Sequence, residues 1–282
     1  MTERIQIFDG PVEEMLSLFG APPDERILQL RPQLVSRIYR EYVEAGTDIL
    51  SSCTLRANRS SLKPFGLQAS AGKLACLGAE IARKSADAAG RKVLVAGNIG
   101  QIGGSHLRHG SLVCQYKEQV RGLTDGGADF LHLRGFSRRS VAEAVLEAID
   151  KTGSPLPVMI SVELTGGPYL PTIRQFWQAV QDRPLLAFGL CGFHAHGTTE
   201  LLRQLAVGCN APLVCCRDAE ADLNLEHHRE HGDHLARSLM AMAQEGLLNY
   251  AGGNRGTMPI HICALRTALD GIRPRQEGLP TC

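Results

Sequence analysis

Neither sign of charge prevails in this sequence: 30 Lys and Arg stand against 29 Asp and Glu in 282 residues, a net +1. No bulk field is available to recruit nucleic acid or an acidic membrane. Long apolar runs are missing as well, and nothing approaches the ~18 residues that a membrane-spanning helix needs. The opening MTERIQIFDG is charged early and has no apolar core, which argues against a secretory signal. No Gly-x-Gly-x-x-Gly follows an early strand and opens a helix, which counts against an open, dinucleotide-binding sheet. Linkers, low-complexity tracts and internal repeats are also absent, so residues 1–282 read as one domain.

Cysteine, by contrast, is abundant. There are nine, an odd number scattered through the chain, and most lie in apolar runs, as Cys76, Cys114 and Cys263 do. Free, buried thiols in a reducing cytoplasm fit this pattern better than a disulfide framework.

Short apolar strands alternate with helical stretches. Strands are expected at Ile5–Phe8, Asp48–Cys53, Val93–Asn98, Asp129–Arg134, Pro157–Ser161, Leu185–Leu190, Pro212–Cys216 and Leu248–Ala251. Their Val, Ile and Leu content suits strands covered on both faces. Helices are expected over 31–45, 70–89, 112–125, 139–151, 171–181, 197–208, 233–246 and 257–271. Val141, Ala144, Val145, Ala148 and Ile149 share one helical stripe. Gly46 and Gly126-Gly127 suit left-handed helix ends, while Thr198 and Asp233 suit N-caps. Eight such units in this length predict an α/β fold, a single-domain (β/α)8 TIM barrel.

In such a barrel the site forms where strands end. The residues to inspect are Asp9, Cys53, Thr54, Asn98, Arg134, Glu163, Cys191 to His196, Arg217, Asp218, Asn254 and Arg255.

Several of these turns carry a resemblance. Phe8-Asp9-Gly10, the stretch YVEAGTDILSSCTLRAN (42–58), Val95-Ala96-Gly97-Asn98-Ile99-Gly100, Gly127-Ala128-Asp129-Phe130-Leu131, and Asn249 to Ile262 follow in the order and spacing of one family. The chain resembles the homocysteine S-methyltransferase family, which includes betaine–homocysteine methyltransferase and the homocysteine domain of cobalamin-dependent methionine synthase. The resemblance implies a methyltransferase on a TIM barrel. It also implies a zinc ion held by one thiolate after strand six and two after strand eight, which activates the homocysteine thiol.

At those three positions this sequence has Gly192, Asn254 and Arg255. Cys191 lies one place early, on the face expected to point away. A guanidinium cannot be deprotonated to ligate a cation. The family's Glu for the substrate ammonium is replaced by Arg134, which reverses the charge, whereas Asp9 is retained. No zinc is therefore expected.

Arg134, Arg217 and Arg255, with Arg56 nearby, are read as a clasp for an anionic small molecule; the alternative pairs them internally with Asp9, Glu163 and Asp218. Cys53, Thr54, Asn98 and Asn254 complete the expected substrate contacts. His194 and His196 are the candidate proton donors, or, with Cys191 or His132, a displaced metal site. One of Cys215 and Cys216 is expected to face inward. His227, His228, His231 and His234 read as a solvated loop. The favoured function is zinc-independent methyl transfer on an anionic substrate other than homocysteine, with a corrinoid (cobalamin) protein as a candidate partner by analogy. The rivals are a catalytically silent binding protein and a homocysteine methyltransferase with a moved metal. Oligomeric state, a homo-oligomer included, is open.

Overall fold

The computed structural model describes residues 3–103, 107–163, 169–192, 197–219 and 228–276, with the backbone alone at 228–232. The chain begins with strand β1 (Gln6–Ile7), helices α1 (Val12–Leu18), α2 (Ile27–Leu30) and α3 (Pro32–Glu44), then β2 (Ile49–Ser51). Helices α4 (Arg59–Leu62) and α5 (Ala71–Asp87) lead to β3 (Leu94–Gly100), α6 (His109–Asp125), β4 (Phe130–Phe136) and α7 (Arg139–Thr152). The second half runs β5 (Val158–Val162), α8 (Tyr169–Val180), β6 (Leu185–Cys191), α9 (Thr198–Ala206), β7 (Leu213–Arg217), α10 (His228–Gln244), β8 (Tyr250–Gly253) and α11 (Pro259–Ala268).

All strand pairs are parallel, in the order β1-β8-β7-β6-β5-β4-β3-β2, and a bridge from Phe8 to Ile49 brings the two ends together. This is the expected (β/α)8 barrel, in one sheet and one domain-wide core. Two apolar layers make it. Phe8, Ile49, Ala96, Phe130, Met159, Ala187, Cys191, Val214, Cys216 and Tyr250 fill the barrel interior. The alternate strand residues, such as Leu50, Leu131, Leu133, Ile160, Leu190 and Cys215, pack outward against the helices, as the two-residue period of a strand requires. On α7 the stripe Val141, Ala144, Val145, Ala148 and Ile149 is buried.

Boundaries differ from expectation at the strand ends. Strands β3 to β8 each run one or two residues further toward their C-termini than the apolar runs suggest, whereas β1 and β2 stop at Ile7 and Ser51, short of the expected Phe8 and Cys53. Arg217 is thus still within the ladder, as Arg134 is. Helices α1, α2 and α4 lie in the first two βα connections, which read as loops. Gly46 and Gly127 take the left-handed backbone (φ 98° and 84°), but Gly126 does not. Gly197, not Thr198, is the N-cap of α9 and no side chain caps it. Asp233 falls inside α10, which starts at His228, so the segment read as a loop is helical there; His227 lies outside the described residues. Among the described residues no helix is long and apolar enough to cross a membrane.

Candidate active site

The inward face of β4 carries Phe130, then His132, then Arg134 at the C-terminal rim. Strand β4 is four places from β8 whichever way the barrel is counted, so the Arg134 side chain spans the mouth. Its Nη2 donates to the carbonyl of Gly253 at 2.9 Å and to Asn254 Oδ1 at 3.2 Å, and its Nη1 donates to Ser51 Oγ at 3.2 Å. The Cys191 thiol is a close electrostatic neighbour. Arg134 as a whole is only 7% exposed. All these acceptors are neutral.

Asp9 is the carboxylate that faces it. Fully buried, it accepts a 2.8 Å hydrogen bond from the Ser51 backbone through Oδ2, while Oδ1 has no partner among the described residues. Burial raises its pKa from 3.8 to about 7, against the lowering effects of the Ser51 bonds and Arg134. One step deeper, Asn98 and His132 are register partners. His132 Nε2 lies 2.9 Å from Ser161 Oγ, and its ring packs at 5.3 Å on Phe8. Burial, with Arg134 adding to it, pushes its pKa well below the usual range, so the imidazole is neutral. Asn98 Oδ1 and His132 Nδ1 are both buried and find no hydrogen-bond partner among the described residues.

The three positions that the resemblance marks for metal ligands do meet in space. A Cβ built on Gly192 would lie 3.2 Å from Asn254 Nδ2 and 3.1 Å from Glu163 Oε1. Arg255 Nη2 donates to that same Glu163 oxygen at 2.7 Å, and Asn254 Nδ2 donates to Asp218 Oδ1 at 2.6 Å. The donor set there is a hydrogen, an amide already bonded on both sides, and a guanidinium. Zinc wants thiolate, imidazole or carboxylate in tetrahedral array, and a fixed guanidinium beside it would repel the dication. Among the described residues no group of three His, Cys, Asp or Glu is placed to hold a metal. The residues present do not fit the ion.

Cys191 requires a correction. Strand alternation puts it inside the barrel, in register with Cys216 on β7, because β6 extends to residue 191 and its inward set is Ala187, Gly189 and Cys191. Cys216 is therefore the inward member of its pair, and Cys215 faces the helices. Burial raises all three thiols, that of Cys215 to about 12, so none is a thiolate; Cys191 and Cys216 sit protonated near Arg134.

Other expected contacts do not reach the mouth. Cys53 is buried in the core layer between barrel and helices. Thr54 Oγ1 is spent on the Asn98 carbonyl at 2.8 Å and the Ser52 hydroxyl, and its methyl packs toward Gly78 of α5. Arg217 alternates outward with Leu213 and Cys215; it is buried, and its Nε finds no partner among the described residues. Arg56 is half exposed and serves Pro23 and Glu25. The four-arginine clasp thus reduces to Arg134 within the mouth and Arg255 at its rim. His194 and His196 lie outside the described residues. Two residues escaped the sequence reading. Ser51 would have emerged from counting inward positions along β2 from Ile49. Glu14, whose Oε2 accepts from the Gly256 backbone at 2.6 Å, gave no signal, because α1 itself was not foreseen.

Comparison with known proteins agrees with this fold. The family model for homocysteine S-methyltransferase matches residues 6–269. The barrel superposes on the oxidized form of the homocysteine methyltransferase MmuM from Escherichia coli with a TM-score of 0.76 and 22% identity, covering 93% of this chain and 95% of that one. Its metallated form gives 0.76 and 22%, over 94% and 96%. A dihydrodipicolinate synthase from Bacillus clausii shares the barrel more distantly, at 0.51 and 11%, over 94% and 72%. By its sequence match along nearly its whole length, this chain belongs to the homocysteine S-methyltransferase family and is a methyltransferase.

Proposed function

We propose that this enzyme transfers a methyl group without zinc, to or from a small anionic substrate other than homocysteine. The observation that carries the proposal is Arg134, a buried guanidinium whose hydrogen-bond acceptors are all neutral. A buried cation without a full counter-charge is costly. Asp9, titrating near neutrality, supplies only part of one. A carboxylate or phosphate on the substrate completes the balance, and an ammonium in the same place is repelled.

In this reading Arg134 and Asn254 orient the substrate. The methyl carbon leaves its donor heteroatom, which keeps the bonding electron pair, and takes up a lone pair of the acceptor. With no metal to form a thiolate, the acceptor is already nucleophilic or the leaving group is protonated. Asp9, holding a proton near neutral pH beside Arg134, is the acid we assign among the described residues; His194 and His196 are the alternatives on the strand-six loop. A corrinoid protein in the reducing cytoplasm remains the candidate partner for the methyl exchange.

The test is methyl transfer by the purified, chelator-treated enzyme over a panel of methylated carboxylates and phosphates, with and without a corrinoid protein. Turnover in that state supports the reading. Turnover with homocysteine alone, and only when zinc is present, defeats it.

A further inference from the structure

Glu163 follows the last residue of β5, and Arg255 lies two residues beyond β8. Their ion pair at 2.7 Å crosses the rim above Arg134, with side-chain exposures of 22% for Glu163 and 67% for Arg255. The backbones on both sides are pinned. The Glu163 N–H donates to Phe136 O, and the Arg255 carbonyl accepts from the Ala219 N–H at 2.8 Å. The neighbouring Asn254 and Gly256 N–H groups donate to Arg217 O and Glu14 Oε2.

The carboxylate rests in a cradle made by two glycines. Gly135 and Gly192 both have left-handed backbones, φ 71° and 77°, where other residues are strained. A Cβ at Gly135 would stand 3.3 Å from Glu163 Oε2, and one at Gly192 would stand 3.1 Å from Oε1. The chain has left open the volume that this carboxylate fills. Its hold on Arg255 is nevertheless thin. A single hydrogen bond joins the two, although a guanidinium can offer a carboxylate or phosphate two parallel ones. Asp218 lies near enough to repel Glu163, and exposed pairs of this kind are weak.

We infer that Glu163 is a resident counter-anion, occupying the Arg255 guanidinium until the anionic arm of a ligand, a carboxylate or a phosphate, displaces it. Glu163 is then a specificity residue: it holds back weak anions and admits those able to bind Arg255 through two bonds. The inference rests on the anionic-substrate reading above.

Titration calorimetry on the full-length protein tests it, with inorganic phosphate and succinate as the two probes. Glu163→Gln keeps the shape and removes the charge. It is expected to tighten at least one probe about tenfold, and which probe gains more identifies the arm as phosphate-like or carboxylate-like. Arg255→Gln is expected to cancel the gain in the double variant. Thermal melting of each variant checks that it is folded. Wild-type affinity in Glu163→Gln for both probes, with binding still lost in Arg134→Gln, overturns the inference and spares the anionic reading. Absence of binding by both the wild type and Glu163→Gln overturns both. A gain that persists in the double variant also overturns it, since the effect would then not pass through Arg255.

Discussion

Arg134 on β4 donates a 2.9 Å hydrogen bond to the carbonyl of Gly253 at the end of β8, on the opposite side of the barrel. One side chain therefore ties together the two walls between which a substrate must sit. In a family whose sequence pattern leads one to expect a carboxylate at that strand end, the charge at the centre of the mouth is inverted.

Arg134→Glu should abolish productive binding. Reversal places a second carboxylate against Asp9 and strips a bond from Ser51, Gly253 and Asn254, so kcat/KM should fall at least 100-fold, in line with the ~3–5 kcal/mol lost when a buried charged group is removed from its partners. Arg134→Gln should keep more of the fold, judged by thermal melting, yet lose most of the activity. Unchanged turnover in Arg134→Glu counts against the assignment.

Asp9 makes activity and stability depend on pH. Its carboxyl titrates at 3.8 ordinarily and at about 7 in the fold, so the folded chain holds this proton more tightly. The stability it contributes is full below pH 4 and is lost as the pH rises through 7. Glu25, raised from 4.5 to about 7 by burial and then by Glu13, acts in the same sense. Melting curves from pH 4 to 8 should show a decline that Glu25→Gln and Asp9→Asn each flatten. If Asp9 is the acid, kcat should fall above pH 7 in the wild type, and Asp9→Asn should be slow at every pH.

Thiol labelling separates surface from barrel. Cys114 and Cys263 are exposed and should react with a disulfide reagent within minutes. Cys191 and Cys216, buried beneath Arg134 with their thiols protonated, should react only on unfolding. Mass mapping of the labelled sites reads this directly; rapid native labelling of Cys191 or Cys216 contradicts the packing.

Tyr39 supports the site from behind. Its hydroxyl donates to the Ser51 carbonyl at 3.0 Å and accepts from the Cys53 N–H at 2.9 Å. Tyr39→Phe leaves both groups buried and unpaired, so it should cost about 1–3 kcal/mol by denaturant unfolding.

The barrel was legible because most strands contain a short apolar run close to glycine or polar turn residues, as in Leu131 to Gly135 and Val158 to Ile160. Arg134, Asn254 and Arg255 were legible as departures at strand ends. What the sequence could not carry was orientation at the rim. Extending β6 by one residue to Cys191 put that thiol inside, where a strand ending at Leu190 had suggested the reverse. Arg217 looked like a companion of Arg134 but, one residue after the inward Cys216, faces the helices. Glu163 was visible as a strand-end residue, but its meeting with Arg255 depends on two glycine turns 57 residues apart, which no local pattern reveals.

We propose that Asn254 and Arg255, an amide and a guanidinium, stand where the family resemblance marks metal ligands and leave no place for zinc. Elemental analysis of the enzyme purified without added metal, paired with activity after exhaustive chelation, tests it most directly. We predict far less than one zinc per chain and methyl transfer that survives chelation. One tightly held zinc per chain, with activity lost on its removal and restored by its return, contradicts the account.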